Sequence, residues 1–224
     1  MCWNATVSLN TFAFALFVIV LAYVNSYASL TVCALYLLFA GIQLVEGLVW
    51  LTLDTNGGWN VALAVAAYVI IWLQPIASLL SVRGRDALRN KLAIAYVGSM
   101  LALSIAWWLW DSSPTDFRMV PSSNGHLEWK WMSPLFGSPI GIAMISLWLF
   151  FFLLPAWLNG TYHMLVLGLV TFFISLYTFA QARTVGSMWC WIANLLFVVI
   201  LLDILFMQPC MQTVCNFKKK ITKR

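Results

Sequence analysis

Charged side chains are scarce in this sequence of 224 residues, of which only 8% are charged. A soluble globular domain carries about 25% charged residues, so most of this chain does not face water. Hydrophobic residues make up 63% of the chain. Several apolar runs reach about 20 residues, the length that a helix needs to cross a hydrocarbon core. These runs do not alternate in period two, which favours helices over barrel strands.

Cysteine and histidine are also scarce, and this excludes several kinds of site. Five cysteines are too few and too scattered for a disulfide scaffold. Two histidines cannot build the zinc site of the seven-span alkaline ceramidase and progestin-receptor superfamily. The last apolar run has no lysine, which excludes a retinal Schiff base. With no Gly-rich phosphate loop and no Ser/His/Asp set, the sequence predicts neither a metal nor a cofactor.

We predict a single all-α domain over residues 1–224, an integral membrane bundle of seven transmembrane helices. One long polar loop, 111–138, separates the fourth and fifth spans, and a basic tail covers 216–224. The predicted spans cover residues 8–26, 30–53, 60–82, 92–110, 139–158, 162–182 and 187–208.

The basic residues form two clusters beside predicted spans, and their position explains the net charge of +5. Four spans separate the clusters, so both lie on one side of the membrane. Short segments rich in Lys and Arg stay in the cytoplasm, which places the N-terminus outside and the C-terminus inside. We expect the lipid bilayer and its anionic headgroups as partners, and no nucleic acid. The clusters are Arg83, Arg85, Arg89 and Lys91 in the third loop, and Lys218, Lys219, Lys220, Lys223 and Arg224 in the tail.

Tryptophans concentrate near the predicted outer ends of the spans, where indoles favour the headgroup layer. We therefore expect an aromatic rim at that interface. Its members are Trp50, Trp59, Trp107, Trp108, Trp110, Trp129, Trp131, Trp189 and Trp191.

A carboxylate interrupts the second span, in the stretch QLVEGLVW. On a helix, Gln43, Glu46 and Trp50 share one face, and Gly47 lets another helix approach closely. A charge in the hydrocarbon core is costly, so Glu46 is expected to face the bundle interior near the outer end. Two interpretations are open. Glu46 is part of a ligand, ion or proton site, or it is a protonated or paired group that ties helices together.

Other polar residues are predicted to converge on the same end of the bundle. Gln181 and Arg183 end the sixth span, and Cys190 and Asn194 share one face of the seventh. Arg183 either pairs with Glu46, which keeps the carboxylate ionised, or caps a helix and reaches water. Near the other end, Asp203 is expected to pair with the basic segments or with Gln74.

Cys2 and Cys190 both lie near the predicted outer end. They form a disulfide, share a soft metal ion, or simply pack among the helices. Two thiols without an obvious third ligand are weak grounds for a metal. We therefore include Cys2 and Cys190 among the ligand-binding candidates and predict no metal site.

The opening MCWNATVSL resembles a set of uncharacterised polytopic proteins from bacteria and large algal viruses. These begin Met-Cys-(Phe or Trp)-Ser-Ala and have a Ser a few positions on, and Asn4 stands where they have the first Ser. The element formed by Gln43, Glu46 and Trp50 and the pair Trp189-Cys190 are also similar. The resemblance implies a membrane-protein family and carries no particular activity.

Three functions are compatible with these patterns. The leading hypothesis is a small polar site at the outer end of the bundle that binds or transports a small solute or ion. The second is a membrane enzyme in which Cys2 or Cys190 acts as a thiol and Glu46 as acid or base. The third is a structural protein, such as one of a viral membrane, in which the polar residues only hold helices together.

The topology predicts how the tail behaves towards a membrane-impermeant maleimide. Applied to intact cells or vesicles, the reagent should not label Cys215, because the tail lies in the cytoplasm. Labelling should appear once the membrane is permeabilised. Labelling of Cys215 from outside before permeabilisation would reverse the assigned orientation.

Overall fold

The structure is a computed structural model that describes residues 4–53, 57–110 and 115–207. In these residues, seven helices are long and apolar enough to cross a membrane, which confirms the predicted number and fits a multi-pass membrane protein. The first six are α1 (Ala5–Val24), α2 (Leu30–Thr52), α3 (Gly57–Leu80), α4 (Asp86–Trp110), α5 (Pro139–Leu158) and α6 (Tyr162–Phe179). The seventh combines α7 (Val185–Ala193), α8 (Leu195–Leu202) and a π-helical turn (Asp203–Met207).

The helix ends differ from the predicted bounds because polar residues cap or extend the helices. Asn4 caps α1 by accepting a hydrogen bond from the backbone N–H of Val7 at 2.9 Å. The charged stretch before the fourth apolar run is already helical, and Asp86 and Arg89 form an ion pair of 2.9 Å in its first turn. The sixth helix ends before residue 182, because Arg183 adopts a left-handed backbone with φ of 57°.

A break at Asn194 divides the seventh helix. The side-chain amide of Asn194 donates to the carbonyl oxygen of Cys190 at 2.6 Å. In a regular helix the backbone N–H of residue 194 would bind that carbonyl, but here it donates to Trp191 at 3.1 Å. A side chain that competes for a helix carbonyl in this way bends or interrupts the helix.

Helix α2 packs between α1, α3 and α7, so its polar face lies inside the bundle. A Cβ atom at Gly47 would lie 2.8 Å from the side chain of Leu9. The close approach that Gly47 was predicted to allow is therefore made by α1. Gln43 and Glu46 are both fully buried on this helix.

The segment predicted as a polar loop, 111–138, contains ordered structure from residue 115 onward. Strands β1 (Met119–Pro121) and β2 (Leu127–Trp129) pair antiparallel, and a 3₁₀ turn covers Ser133–Gly137. Gly125 takes a φ of 77° in the turn between the strands, a conformation that glycine adopts without strain. The hairpin is the one departure from an all-helical fold in the described residues.

Side-chain hydrogen bonds fix the hairpin against two helix ends. Asn60 donates from Nδ2 to the Met119 carbonyl at 2.8 Å and accepts from the Met119 N–H at 2.9 Å. Ser122 Oγ donates to the carbonyl of Ala182 at 2.7 Å, next to α7. We call this end of the bundle the hairpin end, and the end that carries residues 81–85 the arginine end.

The tryptophans do not form a single rim as predicted. Trp108 and Trp110 are each 72% exposed and fit an interfacial position. Trp129, Trp131 and Trp189 are no more than 4% exposed and lie inside the protein. The hairpin and the broken seventh helix carry these three indoles into the core.

Asp203 also has a partner other than those expected. It accepts a hydrogen bond from the hydroxyl of Tyr27 at 3.0 Å. Gln74 instead donates from Nε2 to the carbonyl oxygen of Leu38 at 3.5 Å. The predicted contact between Asp203 and Gln74 is therefore wrong.

The two hydrogen bonds of Asn60 predict a specific loss of stability. Asn60→Ala should reduce the free energy of unfolding by about 1–3 kcal/mol, because it leaves the buried backbone of Met119 unsatisfied. Thermal unfolding in detergent measures the effect, with the exposed Asn90→Ala as control. Equal melting temperatures for the two variants would contradict the anchoring role of Asn60.

Candidate functional site

Glu46 lies fully buried between its own helix and the hairpin. Gln43 Nε2 donates to Glu46 Oε2 at 3.2 Å, one turn away along α2. The indole N–H of Trp129, on β2, donates to Glu46 Oε1 at 3.1 Å. The two oxygens therefore accept from different elements, as a buried carboxylate requires. The prediction that Glu46 faces the interior near the hairpin end is consistent with this geometry.

Gly186 leaves room for the ring of Trp129, because it has no Cβ atom. A Cβ atom there would lie 2.8 Å from a ring carbon of Trp129 and 2.6 Å from the sulfur of Met132. Any larger residue at the start of α7 would push the hairpin outward. The ring of Trp129 also stacks on Trp131, with centroids 5.5 Å apart. Packing thus fixes the direction in which the indole N–H points.

Cys190 and Asn194 lie in the interior, on the face of α7 that the sequence predicts. Cys190 is a fully buried free thiol, and it lines the same small void as Trp129. Asn194 is 6% exposed, and its Oδ1 has no hydrogen-bond partner in the described residues. Cys2, the other predicted thiol, lies outside the described residues.

Arg183 does not reach Glu46, which corrects one of the two expectations for it. Its guanidinium lies 4.0 Å from Glu128 Oε1 and is 67% exposed. The alternative, that Arg183 ends a helix and extends to water, agrees with the structure. Gln181 is exposed, whereas Trp50 is half-buried and packs on the core. The structure thus brings together Gln43, Glu46 and Cys190, and leaves Gln181 and Arg183 nearer the surface.

A cleft with a volume of about 670 Å³ opens beside Trp129 and Arg183 at the hairpin end. Glu128, Lys130 and Arg183 contribute side chains of both charges to its lining. Lys130 Nζ lies 3.0 Å from Glu128 Oε2, and Ser133 donates to Glu128 Oε1 at 2.9 Å. Trp129 forms part of the same wall. One tryptophan therefore separates the charged cleft from the buried carboxylate.

Asp116 lines this cleft as a carboxylate paired with Arg118, whose guanidinium lies 2.7 Å from Asp116 Oδ2. The Arg118 side chain, which hydrogen-bonds the carboxylate, lowers the pKa of Asp116 to about 2. The group is therefore ionised at physiological pH. The cleft thus presents charges of both signs to a solute.

Beyond Trp129 the interior is closed by aromatic rings. A void of about 30 Å³, room for about one water molecule, is lined by Trp129, Trp131, Trp148 and Trp189 among others. Trp189 also lines a larger cavity of about 510 Å³. Its indole donates to Thr171 Oγ1 at 3.1 Å, and its ring meets Trp148 edge-on at 5.3 Å. We call Trp129, Trp131, Trp148 and Trp189 the aromatic layer.

Sequence reasoning did not identify Trp129 or Glu128 as site residues. Both occur in the stretch HLEWKW, which was interpreted as part of a polar loop and its interfacial rim. The alternation of large apolar and charged residues there is the signal of a strand with one buried face. From that pattern, the side chain of Trp129 could have been predicted to lie on the buried face of a strand.

The described residues contain no group of three or more His, Cys, Asp or Glu that could hold a metal ion. Comparison with family models, curated proteins and solved structures finds no match to this chain. The resemblance of its opening residues to a viral and bacterial family stays a prediction.

The bond between Trp129 and Glu46 can be tested with a double-mutant cycle. Trp129→Phe should reduce the free energy of unfolding by about 1–3 kcal/mol, because the buried carboxylate loses a hydrogen-bond donor. In a Glu46→Ala background the same change should cost less, giving a coupling of about 0.5–3 kcal/mol. Unfolding by heat or denaturant measures both.

The exposed Trp108→Phe is the control for ring substitution. Strictly additive effects of Trp129→Phe and Glu46→Ala would show that the two residues do not interact.

Proposed function

We propose that this chain is a multi-pass membrane protein, with its N-terminus and hairpin outside, that binds a small polar solute or ion at the hairpin end and contributes to its transport. The orientation is supported by the basic segment at the arginine end, which favours the cytoplasmic side. The large number of apolar side chains exposed on the helices supports contact with lipid.

One observation carries this proposal. Trp129 is both the hydrogen-bond donor to the buried Glu46 and a wall of the charged cleft. Displacement of this indole from its packed position would connect the cleft to the carboxylate. An intramembrane carboxylate that one side chain separates from a cleft has the arrangement of a gated binding group.

The two parts of the site have different roles in this proposal. Glu128, Lys130 and Arg183 attract the solute to the cleft, since charges at the surface raise the local concentration of charged ligands. Glu46 then provides a buried negative charge, which is stabilised when a cation or a donor group replaces the Trp129 indole. Gln43 donates to the same carboxylate.

The aromatic layer separates the binding of a solute at Glu46 from its passage towards the arginine end. Trp189 closes the path towards the arginine end, and its indole is held by Thr171. A solute at Glu46 would therefore remain at the hairpin end until this layer rearranged. Such closure between two cavities is the geometry that alternating access requires.

The thiol-enzyme hypothesis receives less support from the geometry. Cys190 is fully buried, and a buried thiol without a cationic neighbour is a poor nucleophile. In the structural hypothesis Glu46 only connects α2 to the hairpin. That hypothesis makes a different prediction for a neutral variant of Glu46.

Glu46→Gln keeps the shape of the side chain and most of its hydrogen bonds. If Glu46 is functional, the variant should keep its melting temperature and lose solute binding or flux. A thermal-shift screen of small cations, amino acids and other polar solutes, followed by uptake into proteoliposomes, measures the two properties separately. Asp86→Asn, an exposed carboxylate at the arginine end, is the matched control.

A solute that stabilises the wild type and Asp86→Asn, but not Glu46→Gln, would support the proposal. Equal binding and flux by Glu46→Gln and the wild type would reduce Glu46 to a structural contact.

A further inference from the structure

A cavity of about 510 Å³ opens at the arginine end. It lies between α2, α5, α6 and the broken seventh helix, and the segment between α3 and α4 forms part of its mouth. Its volume is within the range of sites that hold small-molecule ligands, about 300–1,000 Å³. The aromatic layer separates it from Glu46, because the cavity ends against Trp189 and Thr171.

The inner part of the cavity is lined mainly by apolar side chains. Leu35 and Phe39 of α2 face Phe152 of α5 and Leu167 of α6. The polar groups at its deep end are bonded to each other, since Trp189 donates to Thr171 Oγ1 at 3.1 Å. A polar solute would find few partners here, whereas an alkyl chain would be removed from water.

The mouth of the cavity is polar and basic, in contrast to its apolar inner part. Arg83, Arg85 and His163 all contribute to it. Neither arginine forms an ion pair with any of the described residues, although Arg89 in the same region pairs with Asp86. Two guanidinium groups without a carboxylate partner at a shared opening are suited to bind a carboxylate or a phosphate.

The position of the arginines is built into the fold. Asn159, at the end of α5, accepts from the backbone N–H of Arg83 at 3.2 Å. Its amide donates to the carbonyl of Ser81 at 3.1 Å. Gly84 takes a φ of 65°, which turns the chain between the two arginines. One side chain thus fixes the basic segment against the helix that forms the opposite wall.

We propose that this cavity binds an anionic amphiphile, with one acyl chain inside the cavity and the acidic headgroup on Arg83 and Arg85. The ligand is a fatty acid or a lipid with a phosphate headgroup, and both present the same combination of an apolar chain and an anion. The position of the mouth at a helix end places the headgroup at the depth of a membrane interface. This site is separate from the one at Glu46 and does not depend on it.

The binding test uses the full chain, purified in a non-ionic detergent and titrated under native mass spectrometry. The probes are oleate, lysophosphatidylglycerol, lysophosphatidylcholine and inorganic phosphate. We expect saturable binding of one molecule of oleate or lysophosphatidylglycerol, and whichever binds more tightly identifies the headgroup. A photoreactive fatty acid, mapped by peptide sequencing, should label residues near Phe39 and Leu167.

The headgroup contacts are tested by the double variant Arg83→Gln and Arg85→Gln. Its affinity for the anionic probe should fall by up to about 25-fold, since each exposed ionic contact contributes up to about five-fold in affinity. Arg89→Gln is the control, because Arg89 pairs with Asp86 and does not line the cavity.

The acyl chamber is tested separately with Leu167→Trp, which fills the space from α6. Binding of the amphiphile should be lost, while Val166→Trp, at a neighbouring position that is 57% exposed, should bind normally. If Leu167→Trp does not fold, the arginine double variant and the labelled peptides decide the question.

Three results would overturn the proposal. Lysophosphatidylcholine could bind as tightly as the anionic probes, with no effect of the arginine substitutions. Inorganic phosphate could compete fully for the site, which would identify a phosphate site without an acyl chamber. The photoreactive chain could label only lipid-facing residues such as Val166.

Discussion

The hydrogen bond from Trp129 to Glu46 connects the two parts of this protein that differ most in sequence. Glu46 lies in an apolar helix near the hairpin end, and Trp129 lies in a segment with the composition of a loop. A carboxylate inside a helix bundle needs donors, and Gln43 supplies one from α2 itself. Trp129 supplies another from the hairpin, and this bond requires the hairpin to enter the bundle.

Several other features of the fold allow the hairpin to enter the bundle. Asn60 fixes β1 to α3, and Gly186 leaves space on α7 for the ring of Trp129. Asn194 interrupts the seventh helix one turn beyond Cys190. Each of these residues is small or carries an amide. The site is therefore preorganised by the fold.

The bundle has two openings with different chemistry, separated by the aromatic layer. The hairpin end combines charges of both signs with a buried carboxylate, whereas the arginine end combines an apolar chamber with two arginines that form no ion pair within the described residues. Trp129 lines the opening at the hairpin end, and Trp189 lines the opening at the arginine end. The void between these two rings has room for about one water molecule. Occupancy of one cavity could therefore influence the other only by moving these rings.

The sequence by itself determined the seven apolar helices, the buried position of Glu46 and its shared face with Gln43. These depend on short-range physics: the cost of placing backbone and charge in hydrocarbon, and the period of the helix. Only the tertiary structure decided that Trp129 contacts Glu46, that Arg183 turns to Glu128, and that Trp189 lies inside. Each of these depends on how a distant segment folds back, and residues 46 and 129 are separated by 83 positions. Periodicity reports which face of an element is buried, but not which distant side chain covers it.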